Sequence, residues 1–245
     1  MTDWAVEIEQ VGKRFGDLEV LRAVDARVAR GRVTAILGPN AAGKSTLIKI
    51  VLGLCRADGG RVTVAGSHVN GAVSYRSAIG YMPQAPHFPG NLRGWEVLRL
   101  VRDLRPAGEV TDEELLEQFG LAAELDKPVR ILSGGTRQKL NAVIAFLFRP
   151  ALLILDEPTA GLDPVASGLL KEKIGQVRAA GRSIILTSHV LSEVEELADD
   201  VILLLEGRVR FAGSLPALRS ESGESRLERA VAWLMRREDP GAGAG

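Results

Sequence analysis

The sequence predicts an α/β fold with a parallel-sheet core, an amino-terminal antiparallel β subdomain and an inserted α-helical subdomain. Three observations carry that expectation. The strand-like residues 32–37 run straight into a glycine-rich segment, and a helical apolar pattern of Leu47, Ile48, Ile50, Val51 and Leu54 follows at once. Two strongly apolar stretches, residues 152–155 and 184–186, flank a segment that Asp163 would cap and Pro164 would open as a helix, the pattern of a parallel βαβ unit. Between them, residues 91–125 favour short helices, with Trp95, Val97, Leu98 and Leu100 apolar in one and Leu115, Leu116, Phe119 and Leu121 in the next.

The remaining elements fit around this frame. Residues 5–8, 18–21 and 26–29 read as short strands separated by glycines and charges, hence the antiparallel subdomain. Beyond His189 come a helix, two strands about Glu206 and Gly207, and an amphipathic helix with Leu227, Val231, Leu234 and Met235 on one face and a capping box from Ser225 and Glu228. The expected organisation is one domain over residues 1–236, with a helical lobe at about 91–147, a last helix at about 225–236 and a disordered tail at 237–245.

Composition excludes several classes. With 245 residues, 46% of them hydrophobic, the chain can bury a sizeable core. Its 31 basic residues balance 31 acidic ones, so the basic excess used in binding phosphate backbones is missing and no nucleic-acid partner is expected. Cys55 is the single cysteine, which rules out an intramolecular disulfide, and the opening residues do not resemble a secretory signal; a reducing cytosol is the expected location. The longest apolar runs, residues 142–148 and 201–205, fall far short of the roughly 20 residues that span a bilayer. A membrane, if one is involved, is crossed by another chain.

Three segments carry chemistry. Gly38-Pro39-Asn40-Ala41-Ala42-Gly43-Lys44-Ser45-Thr46 fits the phosphate-loop spacing, in which backbone N–H groups and a helix N-terminus cradle phosphates, Lys44 supplies charge and Ser45 reaches Mg²⁺. Residues 151–157 would deliver Asp156 and Glu157 to the carboxyl edge of the sheet beside that loop, Asp156 for Mg²⁺ and Glu157 for the attacking water. Acidic residues also end strands for solubility or as caps, and in isolation that reading is as good. Ser133, Gly134 and Gly135 open a helix and form a second anion site, although alone they would equally suit an ordinary capped helix. Together the segments point to a P-loop NTPase core of the RecA-like kind.

Leu132-Ser133-Gly134-Gly135-Thr136-Arg137-Gln138 resembles the signature motif of ATP-binding cassette (ABC) proteins, and the other motifs occur in that family's order over nearly the whole chain. The resemblance implies an ABC nucleotide-binding domain in which the serine and glycines of one subunit close over the γ-phosphate held by another. It further implies that Phe15 stacks on adenine, Gln84 is the Q-loop γ-phosphate sensor and a Mg²⁺ ligand, Asp163 belongs to the D-loop and His189 is the switch histidine. His68 and His87 are read as ordinary histidines. Ala41 stands where the family often has glycine, Phe15 where tyrosine is commoner, and Thr136 is a milder variation. None of these removes a charged or proton-transferring group, so an active ATPase using ATP and Mg²⁺ is expected. The implied partners are a second copy or a paralogous cassette and a polytopic membrane permease, with this chain cytoplasmic and peripheral on the inner face of the cell membrane.

Among exporter-type systems with separate permeases, Ile79-Gly80-Tyr81-Met82-Pro83-Gln84, residues 142–147 and residues 223–230 are similar to the NosF-type ATPase of the copper-processing transporter that matures nitrous oxide reductase. That resemblance implies a periplasmic accessory protein reached through the permease. One cysteine and three methionines give this chain little soft-ligand capacity, so partners would handle copper or sulfur species. DNA-repair ATPases would bring heptads or cysteine pairs, and cassette translation factors two cassettes and a basic linker. A soluble assembly ATPase of the iron–sulfur biogenesis kind stays open. Residues 85–92, after Gln84, expose apolar groups suited to a permease helix, unless Phe88 and Trp95 simply pack the helical lobe.

Overall fold

The computed structural model describes residues 3–69, 73–106 and 110–236; the expected tail at 237–245 lies outside them. In chain order the elements are β1 (Trp4–Phe15), β2 (Leu18–Ala29), β3 (Val33–Leu37), α1 (Lys44–Val51), β4 (Gly59–Val64), β5 (Ser67–His68), β6 (Ile79–Met82), α2 (Gly94–Asp103), α3 (Glu114–Gln118) and α4 (Gly134–Phe146). They continue as β7 (Leu152–Asp156), α5 (Pro164–Ala179), β8 (Ser183–Thr187), α6 (Leu191–Leu197), β9 (Asp200–Leu205), β10 (Arg208–Ser214), α7 (Leu215–Ser222) and α8 (Leu227–Arg236). The chain divides into two compact units, one of residues 1–75 and 187–245 and the other of residues 76–186. None of the described helices is long and apolar enough to cross a membrane.

The first unit contains an antiparallel sheet in the order β2-β1-β4-β5, and the strands β10-β9-β3. Sequence reading shortens β1 to residues 5–8 and divides β2 into residues 18–21 and 26–29, whereas each is a 12-residue strand. The alternation of apolar residues is interrupted by register shifts, with Gln10 (φ 50°) and Ala23 (φ 47°) in the left-handed region, so a bulged strand looks like separate fragments. β3 pairs in parallel with β9, and all five of its residues are buried. Two α-helices close the unit. α7 has no counterpart in the sequence reading; it is capped by Ser214, which accepts from Ala217 N–H, and ends on left-handed Gly223. In α8, Leu227, Val231 and Leu234 are buried as expected, but Met235 is exposed. The helix starts at Leu227, one residue too late for a Ser225–Glu228 box, and its first amide donates instead to Glu195 on α6.

In the second unit β6 and β7 pair in parallel and β8 lies beside β7, with α5 as the crossover. Asp163 caps α5 through Ala166 N–H and Pro164 opens it. Helices α2, α3 and α4 form the expected helical region. Of the apolar residues expected in this region, Leu98, Leu115 and Leu121 are buried, the last of them beyond the end of α3, whereas Trp95 and Leu100 are exposed. Phe88 packs against Val97, Val129 and Leu132, so this aromatic contributes to the helical core.

Candidate nucleotide-binding and hydrolysis groups

The phosphate-loop segment is shaped by its backbone. After buried β3, Gly38 adopts φ 147°, and a Cβ there would lie 2.2 Å from the Leu204 carbonyl oxygen. Gly43 adopts φ 104°, and its Cβ would lie 2.6 Å from Leu21 Cδ2 and 3.0 Å from the Val20 carbonyl. Only glycine fits either position without displacing backbone. Ala42 N–H closes the turn on the Pro39 carbonyl, and α1 starts at Lys44 with no side-chain cap, so the N-terminal end of the helix is aimed at whatever the loop encloses. Lys44 Nζ donates to the carbonyls of Gly38 (2.7 Å) and Pro39 (3.0 Å), which holds its charge over the mouth of the loop. Asn40, Ala41 and Ser45 are exposed and Thr46 is half-buried; Ala41 reaches the left-handed region (φ 65°) that glycine occupies more cheaply.

Two other expected groups belong to the same unit. Phe15 ends β1 and is 53% exposed, with Lys13 Nζ 5.2 Å from its ring centroid. His189 is exposed between β8 and α6, where Ser188 Oγ accepts from Val190 N–H and fixes the turn.

The second unit holds the carboxylates. β7 is buried throughout, and its last residue, Asp156, is 9% exposed. Burial, and then the charge of Asp156, raise the Tyr81 phenol above its ordinary value, so Tyr81 stays protonated beside this carboxylate. Glu157 has φ 51°, a conformation rare outside glycine and typical of strained functional positions. Gln84 Nε2 donates to Glu157 Oε2 at 3.2 Å, which joins the Q-loop segment to this glutamate.

Ser133 caps α4 by accepting from Thr136 N–H (3.0 Å), and its Oγ lies 2.8 Å from Thr136 Oγ1. Asp163 accepts from Ala166 N–H and pairs with Lys139 Nζ at 2.8 Å; the amide and the ammonium hold it below the usual carboxylate range, Lys139 having the larger effect. A Cβ on Gly135 would lie 3.2 Å from the Gly161 carbonyl, so the signature turn packs closely on the D-loop backbone. Two residues here escaped the sequence reading. Lys139 ties the signature helix to Asp163, and Asn141 Nδ2 donates to the Pro83 carbonyl at 2.8 Å, next to Gln84. A buried asparagine among Leu140, Ala142 and Val143 was the available signal, because such a group needs a partner.

These residues fit Mg-ATP. The loop offers a glycine-shaped backbone, an uncapped helix start and a lysine. Asp156, buried at the end of β7, offers one carboxylate, and Mg²⁺ is an ion held by one or two carboxylates with phosphates and water.

Comparison with known proteins agrees. Residues 21–160 match the ABC transporter family. The chain is 36% identical over 233 residues to the daunorubicin resistance ATP-binding protein DrrA3 of Streptomyces coeruleorubidus, covering 93% of this chain and 74% of the relative. It is 35% identical to the lantibiotic transport ATP-binding protein SrtF of Streptococcus pyogenes (83% and 88% covered) and 38% identical to the Nod factor export ATP-binding protein I of Rhizobium sp. strain N33 (90% and 74%). A solved ATP binding subunit of an ABC transporter superposes with a TM-score of 0.88 at 32% identity, covering 95% of this chain and all of the other. A cassette solved as a dimer with ADP and Pi shares the fold, with a TM-score of 0.77 at 21% identity over 86% of this chain and 98% of that one. This chain belongs to the ABC transporter family as an ATP-binding subunit, an ATPase whose cofactors are ATP and Mg²⁺.

Proposed function

We propose that this chain energises an exporter-type transporter whose membrane-spanning permease is a separate polypeptide, and that it works as a dimer of cassettes. The observation that carries the reading is the phosphate loop, in which Gly38 and Gly43 hold positive φ where a Cβ would collide with neighbouring protein atoms, and which leads into the uncapped start of α1 at Lys44. The amides of residues 38–46 and Lys44 bind the phosphates, and Phe15 stacks on the base. Ser45, Asp156 and Gln84 hold Mg²⁺, which neutralises charge on the phosphate oxygens when bound. Glu157 orients and polarises the attacking water, and His189 contacts the γ-phosphate. Ser133, Gly134, Gly135 and Asp163 serve the nucleotide of the partner cassette, because one chain presents two phosphate-binding helix ends and needs one for itself. Both units then make up one nucleotide-binding domain, at the cytoplasmic face of the membrane.

The names of the relatives, which concern drug resistance, lantibiotic transport and Nod factor export, support an exporter. Within that class, the similarity of residues 79–84, 142–147 and 223–230 to the NosF-type ATPase favours a copper- or sulfur-processing system with a periplasmic accessory protein. Co-purification from membranes tests the assignment. A polytopic permease that stimulates ATP hydrolysis is the expected companion. Recovery with soluble assembly partners alone would replace this reading with the iron–sulfur type, and a permease without a neighbouring copper-site protein would remove the NosF-type specialisation.

A further inference from the structure

Phe15 stands at a hairpin tip, where it pairs with Leu18 across Gly16 and Asp17 and Gly16 takes a left-handed φ of 58°. An aromatic ring 53% exposed at such a tip is free to choose among rotamers, and fixing one of them on docking costs affinity. Here one arrangement is already held. Lys13, two residues earlier on β1, has a side chain only 13% exposed, and its ammonium lies 5.2 Å from the Phe15 ring centroid, within cation–π range. The same ammonium donates to Asp58 Oδ1 at 2.7 Å. Asp58, just ahead of β4, grips the end of β1 in two more places: its Oδ2 accepts from Arg14 N–H at 2.7 Å, and its own N–H donates to the Gly12 carbonyl at 2.9 Å. The Lys13 ammonium, and then the Arg14 amide, hold the Asp58 carboxyl below the usual carboxylate range, so it stays charged at neutral pH. Among the described residues no other carboxylate pairs with Lys13.

We propose that Lys13 and Asp58 are positioning residues for the nucleotide base: Asp58 fixes the Lys13 ammonium against one face of the Phe15 ring, which leaves the ring ordered and its other face open to the base. The inference rests on the reading of Phe15 as the aromatic that stacks on that base. Asp58 is needed because a lysine ammonium is a strongly hydrated charge on a flexible stem, which an exposed ring alone would not retain. Two effects follow. The ring is ordered before the base arrives, so less conformational freedom is lost on stacking. The cation also draws π density towards itself, so the outer face is less negative and repels the negative face of a stacked base less strongly.

The test titrates the full-length protein calorimetrically with Mg-ATP and with Mg-tripolyphosphate, which carries phosphates but no base. Lys13→Met keeps the apolar stem and removes the charge; its dissociation constant for ATP should rise about two- to five-fold while that for tripolyphosphate stays at the parent value. Asp58→Asn should shift ATP in the same direction, and Lys13→Arg, which can still pair with a carboxylate and lie on a ring, should hold ATP near the parent affinity. Phe15→Ala should weaken ATP alone, and adding Lys13→Met to it should change nothing further. An equal loss for both ligands in Lys13→Met would make the lysine part of the phosphate site or of the general scaffold and overturn the proposal. So would a Lys13→Met effect that persists undiminished in the Phe15→Ala background. Parent ATP affinity in Lys13→Met, with Phe15→Ala weakened, overturns this inference alone, whereas parent affinity in Phe15→Ala overturns the base-stacking reading and this inference with it.

Discussion

The phosphate-loop region of the first unit and the carboxylate and signature region of the second are built on different principles. In the first, the shape is a property of the main chain: Gly38 and Gly43 have positive φ and no room for a Cβ, and Lys44 is held by backbone carbonyls. In the second, polar side chains hold one another, Gln84 on Glu157, Lys139 on Asp163 and Ser133 on Thr136. A main-chain cradle is complete before its ligand arrives, which suits ground-state binding. Paired side chains can exchange partners, which suits groups that act on charge developing during reaction.

The contrast can be broken from either side. The largest effect is expected at Gly38→Ala, where the new Cβ meets the Leu204 carbonyl: stability should fall by about 3 kcal/mol and Mg-ATP binding should be lost, as measured by urea unfolding and nucleotide titration. A variant that keeps both would show that the cradle is not fixed by its main chain.

Lys173→Met probes side-chain pairing away from the nucleotide groups. This lysine is almost fully buried and bonds Asp112 (2.8 Å) and Glu114 (2.7 Å), so its loss should cost about 2 kcal/mol while nucleotide affinity stays unchanged. The pair also sets a pH dependence. Burial pulls the lysine down, but its two carboxylate partners more than offset this and raise it, so its contribution is lost only in strong alkali. Lys173 holds Glu114 below the ordinary carboxylate value, so that contribution is present above about pH 4.5 and is lost as pH falls through the lowered value. Acid unfolding should therefore be shallower in Lys173→Met; an identical acid limb would remove the pair from the account.

The smallest effect is expected at Ser133→Ala, where losing the cap costs about 1 kcal/mol of unfolding free energy. ATP-dependent dimerisation, followed by light scattering, should nonetheless fail. A variant that still dimerises with Mg-ATP would return this serine to an ordinary helix cap.

How much of this was readable in the sequence follows the same division. The phosphate loop could be read because its chemistry is fixed by local spacing, a glycine, four residues, then glycine, lysine and serine. The β7-α5-β8 crossover was equally plain, since two continuous apolar runs bracket a helix with both its cap and its proline. Lys139 and Asn141 are not legible as tethers because their partners are remote in sequence: the apolar neighbours of Asn141 say that it needs a partner, but nothing local says which. β1 reads as only residues 5–8 and β2 as two pieces because bulges at Gln10 and Ala23 interrupt their alternation. α7 was overlooked although Ser214, Pro216 and Gly223 signalled a start and a stop, because it is short and half polar.

The division between binding and turnover is tested most directly by measuring Mg-ATP affinity and single-turnover hydrolysis together for Lys44→Ala, Glu157→Gln and His189→Ala. Lys44→Ala should lose affinity and rate alike, because that lysine contacts phosphate before and during reaction. Glu157→Gln and His189→Ala should bind near the parent affinity yet turn over at least about 100-fold more slowly. Parent-rate hydrolysis by either of the last two, or an affinity loss as large as that of Lys44→Ala, would contradict the account.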